Sequence, residues 1–118
     1  MSNKNPLRFK SYQFAIRIIQ QHQFIKKNHQ EYDLSRQLLR SGTAIGALIR
    51  ESEFGQSKAD FISKLSISLK EANETDYWLN LLKDTNYISQ ESFSELIDEC
   101  EQLIKMLVSS IKTAKSKL

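Results

Sequence analysis

Arg40-Ser41-Gly42-Thr43-Ala44-Ile45-Gly46-Ala47 is the centre of the stretch Leu34 to Leu82 and lies inside what otherwise reads as an amphipathic helix. Each of its two glycines weakens a helix by about 1 kcal/mol relative to alanine. Something must therefore offset roughly 2 kcal/mol. Close packing against a neighbouring helix does so, and so does a tightly shaped oligomer or ligand surface.

Outward from this stretch, the 118-residue chain holds one proline and three glycines, too little punctuation for a many-stranded β fold. With 40% apolar and 26% charged residues, it reads as one domain over 1–118 with a single modest core. Cys100 is the only cysteine and cannot close an internal disulfide. No apolar run approaches about 18 residues, and Met1 to Pro6 leads into an amphipathic segment rather than a signal-peptide core. These features point to a cytoplasmic protein with no membrane partner.

Charge is unevenly distributed along the chain. Residues 1–50 carry nine Lys/Arg against two acids, residues 51–101 four against twelve, and residues 102–118 four against none. Such a chain suits a polyanion on one face, or contacts between its own copies.

The pattern predicts four helices and an all-α fold. After a flexible lead over residues 1–7, a first helix from about Arg8 to Asn28 carries the stripe Phe9, Tyr12, Ile16 and Ile19 beside a second stripe, Phe14, Ile18 and Ile25. An arc that wide touches more than one neighbour. The second helix runs from Leu34 to about Phe54, with Asp33 as N-cap and Gly55 as C-terminal cap. Leu34, Leu38, Ser41, Ile45 and Leu48 or Ile49 form its inward line, while Arg36, Arg40 and Arg50 share the opposite face.

Ser57 to Asp60 reads as a capping-box variant opening a third helix that ends near Asp84 and turns Phe61, Ile62, Leu65, Leu69, Ala72, Leu79 and Leu82 inward. At about 1.5 Å per residue it reaches roughly 40 Å, which only a partner of similar length can cover. That partner starts at Ser89 or Ser92, where Ile88 and Phe93 staple the cap. Phe93, Ile97, Cys100, Ile104, Leu107, Ile111, Ala114 and Leu118 follow a coiled-coil-like spacing, widened by Leu96 and Leu103. Short loops make an antiparallel up-down-up-down four-helix bundle the economical solution.

The chemistry that such bundles host finds few ligands here. No Glu-x-x-His pair occurs, and His22 and His29 stand about 10 Å apart along a helix, too far to share a metal. Cys100 falls on the apolar seam, where a structural thiol is expected, and no glycine-rich loop follows a strand to cradle phosphate. We expect no catalytic residue, metal or cofactor. Tyr77 and Trp78 read as a core residue beside an interface residue and are candidates for an oligomer contact. Lys10 and Arg17 on the first helix, with Arg36, Arg40 and Arg50 on the second, would merge into a phosphate-binding patch if the two helices are neighbours. A solvated face with local salt bridges is the competing reading of the same residues.

The segments Leu38 to Glu51, Ser57 to Ile62 and Glu71 to Leu79 resemble a bacterial four-helix-bundle family known from intervening sequences of 23S ribosomal RNA genes. Phe9 to Ile19 fits that family's first helix. Leu48 stands where the family commonly has asparagine, and Arg50 where it has alanine. The resemblance implies a ring-like homopentamer without established catalytic activity. It also implies kinship with the accessory variability determinant proteins of diversity-generating retroelements, which use a similar scaffold to bind a reverse transcriptase and nucleic acid.

The sequence thus leads to a non-enzymatic homo-oligomer that serves as a nucleic-acid or ribonucleoprotein accessory through a basic outer face. Its expected partners are its own copies and RNA, DNA or a nucleic-acid-processing protein. The alternative is a protein–protein scaffold without nucleic-acid binding. In either case Ser41, Gly42 and Gly46 form a helix-packing notch, within the subunit or between subunits.

Overall fold

The computed structural model describes residues 5–118. Four helices, α1 (Pro6–His29), α2 (Asp33–Ser52), α3 (Lys58–Asp84) and α4 (Gln90–Ser116), form an antiparallel up-down bundle. α1 packs on α2 and α4, α2 on α3, and α3 on α4, with the diagonal pairs further apart. The molecule is a rod 47 Å long and 25 × 20 Å across, in keeping with the length of α3.

Helix ends follow from local chemistry, and three of them differ from the sequence expectation. Residues 1–4 of the expected lead lie outside the described residues, but Asn5 accepts the Arg8 N–H (3.1 Å) and Pro6 and Leu7 open α1, with Leu7 buried. Proline suits that position because its missing donor would have no intrahelical partner. Asp33 does not cap α2. The Glu31 carboxylate does so instead, accepting the N–H groups of Asp33, Leu34 and Ser35 at 3.1, 3.0 and 2.9 Å. One longer side chain reaches back over three free donors, and Asp33 becomes a first-turn residue near the positive helix end.

Gly55 is likewise not a left-handed cap, because no glycine has positive φ. α2 ends at Ser52 and is followed by Glu53 in right-handed geometry. A Cβ on Gly55 would come within 3.2 Å of both the Phe61 nitrogen and the Ser52 oxygen, so the glycine serves close approach in the α2–α3 turn.

α3 opens as the pattern predicts, with Ser57 Oγ accepting the Asp60 N–H (3.0 Å) and Asp60 accepting the Gln56 N–H (3.2 Å). Ser89 caps α4 by accepting the Ser92 N–H (3.1 Å), and Ile88 and Phe93 are both buried across it.

The core comprises Phe14, Ile18 and Ile25 of α1, Leu38, Ile45 and Ile49 of α2, and the apolar lines of α3 and α4. On α3 the innermost line is Leu65, Ser68, Ala72, Thr75, Leu79 and Leu82, whereas Leu69 and Phe61 are only partly buried. The buried hydroxyls are satisfied: Ser68 donates to the Ile45 carbonyl (2.9 Å) and Thr75 to Ser41 Oγ (3.0 Å). On α4 the companions Leu96 and Leu103 are buried while Ile97 and Ile104 are half-buried and Leu118 is exposed. The innermost line of α4 is therefore Phe93, Leu96, Cys100, Leu103 and Leu107, displaced from the expected seam at Ile97 and Ile104.

Candidate interaction surfaces

α1 presents its two apolar stripes in opposite directions. Phe14, Ile18 and Ile25 enter the core, whereas Phe9 (46%), Tyr12 (56%), Ile16 (37%) and Ile19 (40%) stay exposed. Among the described residues, no element of the subunit buries the second stripe. Phe24, half exposed, lies apart from it, beside His29 and Tyr87 near the α3–α4 turn.

Beside the stripe, a groove of about 440 Å³ runs between α1 and α2, walled by Tyr12, Ala15, Ile19, Thr43 and Ala47. Gly46 lies in its floor, and Arg8, Arg50 and Glu51 stand at one end. The glycines make this close approach possible. A Cβ on Gly42 would meet Ile18 Cγ2 at 2.8 Å and Cγ1 at 2.9 Å, while one on Gly46 would meet Ser11 Oγ at 3.2 Å. Both glycines thus face α1, and Ser41 faces α3 through Thr75. The notch lies within the subunit, and Gly46 also borders open surface.

The five basic residues do not share one face. Lys10 donates to Gln102 (3.2 Å), and Arg17 pairs with Glu99 and, at 3.4 Å, with Glu95, so both turn toward α4. Arg40 turns the other way, pairing with Glu74 and, at 3.1 Å, with Glu71 on α3. Among the described residues Arg36 pairs with Asp33 alone, one turn back at 4.0 Å. Arg50 lies at the groove mouth. α1 and α2 are neighbours as the patch required, but Arg17 and Arg40 diverge toward acids on the two flanking helices.

Tyr77 and Trp78 stack edge to face with centroids 5.0 Å apart. Tyr77 is exposed, whereas the half-buried Trp78 donates its indole N–H to Glu74 (2.9 Å). That bond and the Arg40 guanidinium hold the Glu74 carboxyl below its usual range, and Glu74 in turn raises Arg40. Trp78 therefore helps tie α3 to α2, and Tyr77 is the member of the pair that faces outward.

Two further groups, Cys100 and His22, are shifted by burial. Burial pushes the Cys100 thiol up to about 12, and it donates to the Ala72 carbonyl (3.3 Å). Partial burial lowers His22, whose Nδ1 lies 3.1 Å from the Ser35 carbonyl. His29 packs edge-on against Tyr87 (5.4 Å). Among the described residues no group of three His, Cys, Asp or Glu side chains is placed to hold a metal ion, and no helix is long and apolar enough to cross a membrane.

Two comparisons bear on what these surfaces belong to. A family model described as 23S rRNA-intervening sequence protein matches residues 4–109. A crystal structure of a protein of unknown function from the S23 ribosomal protein family of Bacteroides thetaiotaomicron is similar, with TM-score 0.89 and 49% identity over 90% of this chain and 98% of that one. No curated protein matches the chain.

Proposed function

The chain belongs to the 23S rRNA-intervening sequence protein family, and we propose that it is a non-enzymatic cytoplasmic bundle that works as a self-assembled, five-subunit scaffold. The observation that carries this reading is the uncovered α1 stripe beside the α1–α2 groove. Four large apolar side chains in register on one helix form a contiguous patch of the kind that marks an interface. The number five comes from the family resemblance. Support for the absence of catalysis comes from the shifted groups, since Cys100, Glu74, Arg40 and His22 each owe their state to burial or to a packing partner.

The test is the solution mass of the wild type against Ile16→Glu/Ile19→Glu. Both positions are exposed in the single subunit, so the double variant keeps its helical circular dichroism while losing assembly. Retention of the wild-type mass by a folded double variant overturns the reading.

The second reading, an accessory to nucleic acid or to a nucleic-acid-processing protein, draws on the chain's basic segments. The α1–α2 face supports it weakly, because Arg17 and Arg40 are already engaged by acids. The lysines of the α4 terminus support it better.

A further inference from the structure

Antiparallel packing brings the N-terminus of α1, the C-terminus of α2, the N-terminus of α3 and the C-terminus of α4 to one end of the rod. The acids at this end have partners: Glu53 binds Arg8, Glu51 binds Lys64, and Asp60 closes the α3 cap. Lys58, Lys105, Lys112, Lys115 and Lys117 are exposed and, among the described residues, make no ion pair. The helix dipole accounts for Lys115 in the last turn of α4, but its effect fades within one turn and does not reach Lys105 or Lys112. Glu91, Glu95, Asp98, Glu99 and Glu101 fill the other half of α4, so the helix is strongly polarised along its length.

We propose that this end of the bundle is a nucleic-acid contact that grips the phosphate backbone. Two features define it. Lys105, Lys112 and Lys115 project from the outer face of α4 at spacings of seven and three, a line about 15 Å long that suits a run of phosphates. Next to it, Lys58 and Lys117 flank a cleft of about 380 Å³ that also holds Ser109, Ser110 and Thr113, with Phe61 and Ala114 in its wall. Two ammonium groups and three hydroxyl donors make a fitting seat for one phosphate. The lysine line carries no aromatic, and Phe61 in the cleft is packed against the core instead of standing free to stack, so recognition follows the backbone and not the bases. Every residue involved belongs to one subunit, so the proposal does not depend on the assembly reading.

The test is fluorescence anisotropy of the full chain with labelled DNA and RNA duplexes of about 30 base pairs across a salt series. Wild type binds at about 50 mM salt with a log–log salt slope of roughly −3 to −4, at about −0.9 per phosphate engaged. Lys112→Gln/Lys115→Gln/Lys117→Gln weakens binding more than tenfold and flattens the slope by about 2 to 3. Lys26→Gln/Lys27→Gln, at the opposite end of α1, changes it less than about twofold. Equal weakening by both variants overturns the site, because net charge alone then explains binding. No duplex binding at about 50 mM salt, or binding only to phosphatidylserine vesicles, overturns it as well.

Discussion

Replacing Gly42 with alanine adds one methyl group where α1 has left no room for it. The new Cβ would stand 2.8 and 2.9 Å from the two γ-carbons of Ile18 and 3.3 Å from its Cβ. Ile18 is fully buried and β-branched, so it has no alternative rotamer to retreat to. Overpacking of this kind costs about 1–3 kcal/mol, against about 1 kcal/mol gained from helix propensity. The net expectation is neutral to about 2 kcal/mol destabilising. Gly46→Ala meets only the Ser11 hydroxyl at 3.2 Å and ordinary contacts at 3.4 Å, so it keeps most of the propensity gain.

The two variants should therefore differ by about 1–3 kcal/mol, or roughly 4–12 °C in Tm at about 4 °C per kcal/mol. Urea and thermal unfolding followed by circular dichroism, at one fixed protein concentration because assembly couples to stability, measure this difference. Adding Ile18→Ala, which removes both clashing carbons, should make Gly42→Ala better tolerated by about 1–2 kcal/mol than additivity predicts. Equal stabilisation by Gly42→Ala and Gly46→Ala, or strict additivity with Ile18→Ala, refutes the close-packing account of this stretch.

Further expectations follow from the same geometry. Cys100 should be inert to thiol reagents at about pH 8 until the bundle unfolds in denaturant, because its pKa of about 12 leaves almost no thiolate; rapid labelling of the native protein contradicts this. Glu74 is held below 4.5 in the folded state, so its bonds to Trp78 and Arg40 stabilise the bundle fully above that pH and are lost as pH falls through the lowered value. Glu74→Gln should accordingly be less stable than wild type at neutral pH and converge with it in acid, whereas a constant gap down to about pH 3 refutes the coupling.

Much of the fold was legible because period and caps agree with packing. The Ser57 cap, Ser89 as one of two candidate caps and the Ile88–Phe93 pair sit where the pattern put them, whereas on α4 Leu96 and Leu103 lie deeper than the expected Ile97 and Ile104. The innermost line of α3 was harder to see. Leu65, Ser68, Ala72, Thr75, Leu79 and Leu82 alternate steps of three and four, but two of its members carry hydroxyls and Leu69 is the more hydrophobic candidate for the place of Ser68. A search for the heptad before the hydrophobicity would have found it, since small hydroxyl residues at such positions bond across the interface or back to their own helix.

The surfaces were less legible than the core. Sequence spacing gave α1 two apolar stripes but could not say which one the bundle covers, because that depends on where α2 and α4 stand. The arginines failed as a patch for a related reason. Helical spacing fixes the direction of Cβ, whereas Arg17 and Arg40 follow long side chains to acids on α4 and α3 that lie far away in sequence. The acidic half of the chain, rather than its basic half, decides where those charges end up.

Multi-angle light scattering on the wild type and on Ile16→Glu/Ile19→Glu tests the self-assembled scaffold most directly. The account predicts a wild-type mass near five times 13.7 kDa and a folded double variant near the mass of one chain. A wild type that elutes as a monomer, leaving Phe9, Tyr12, Ile16 and Ile19 in water, contradicts it.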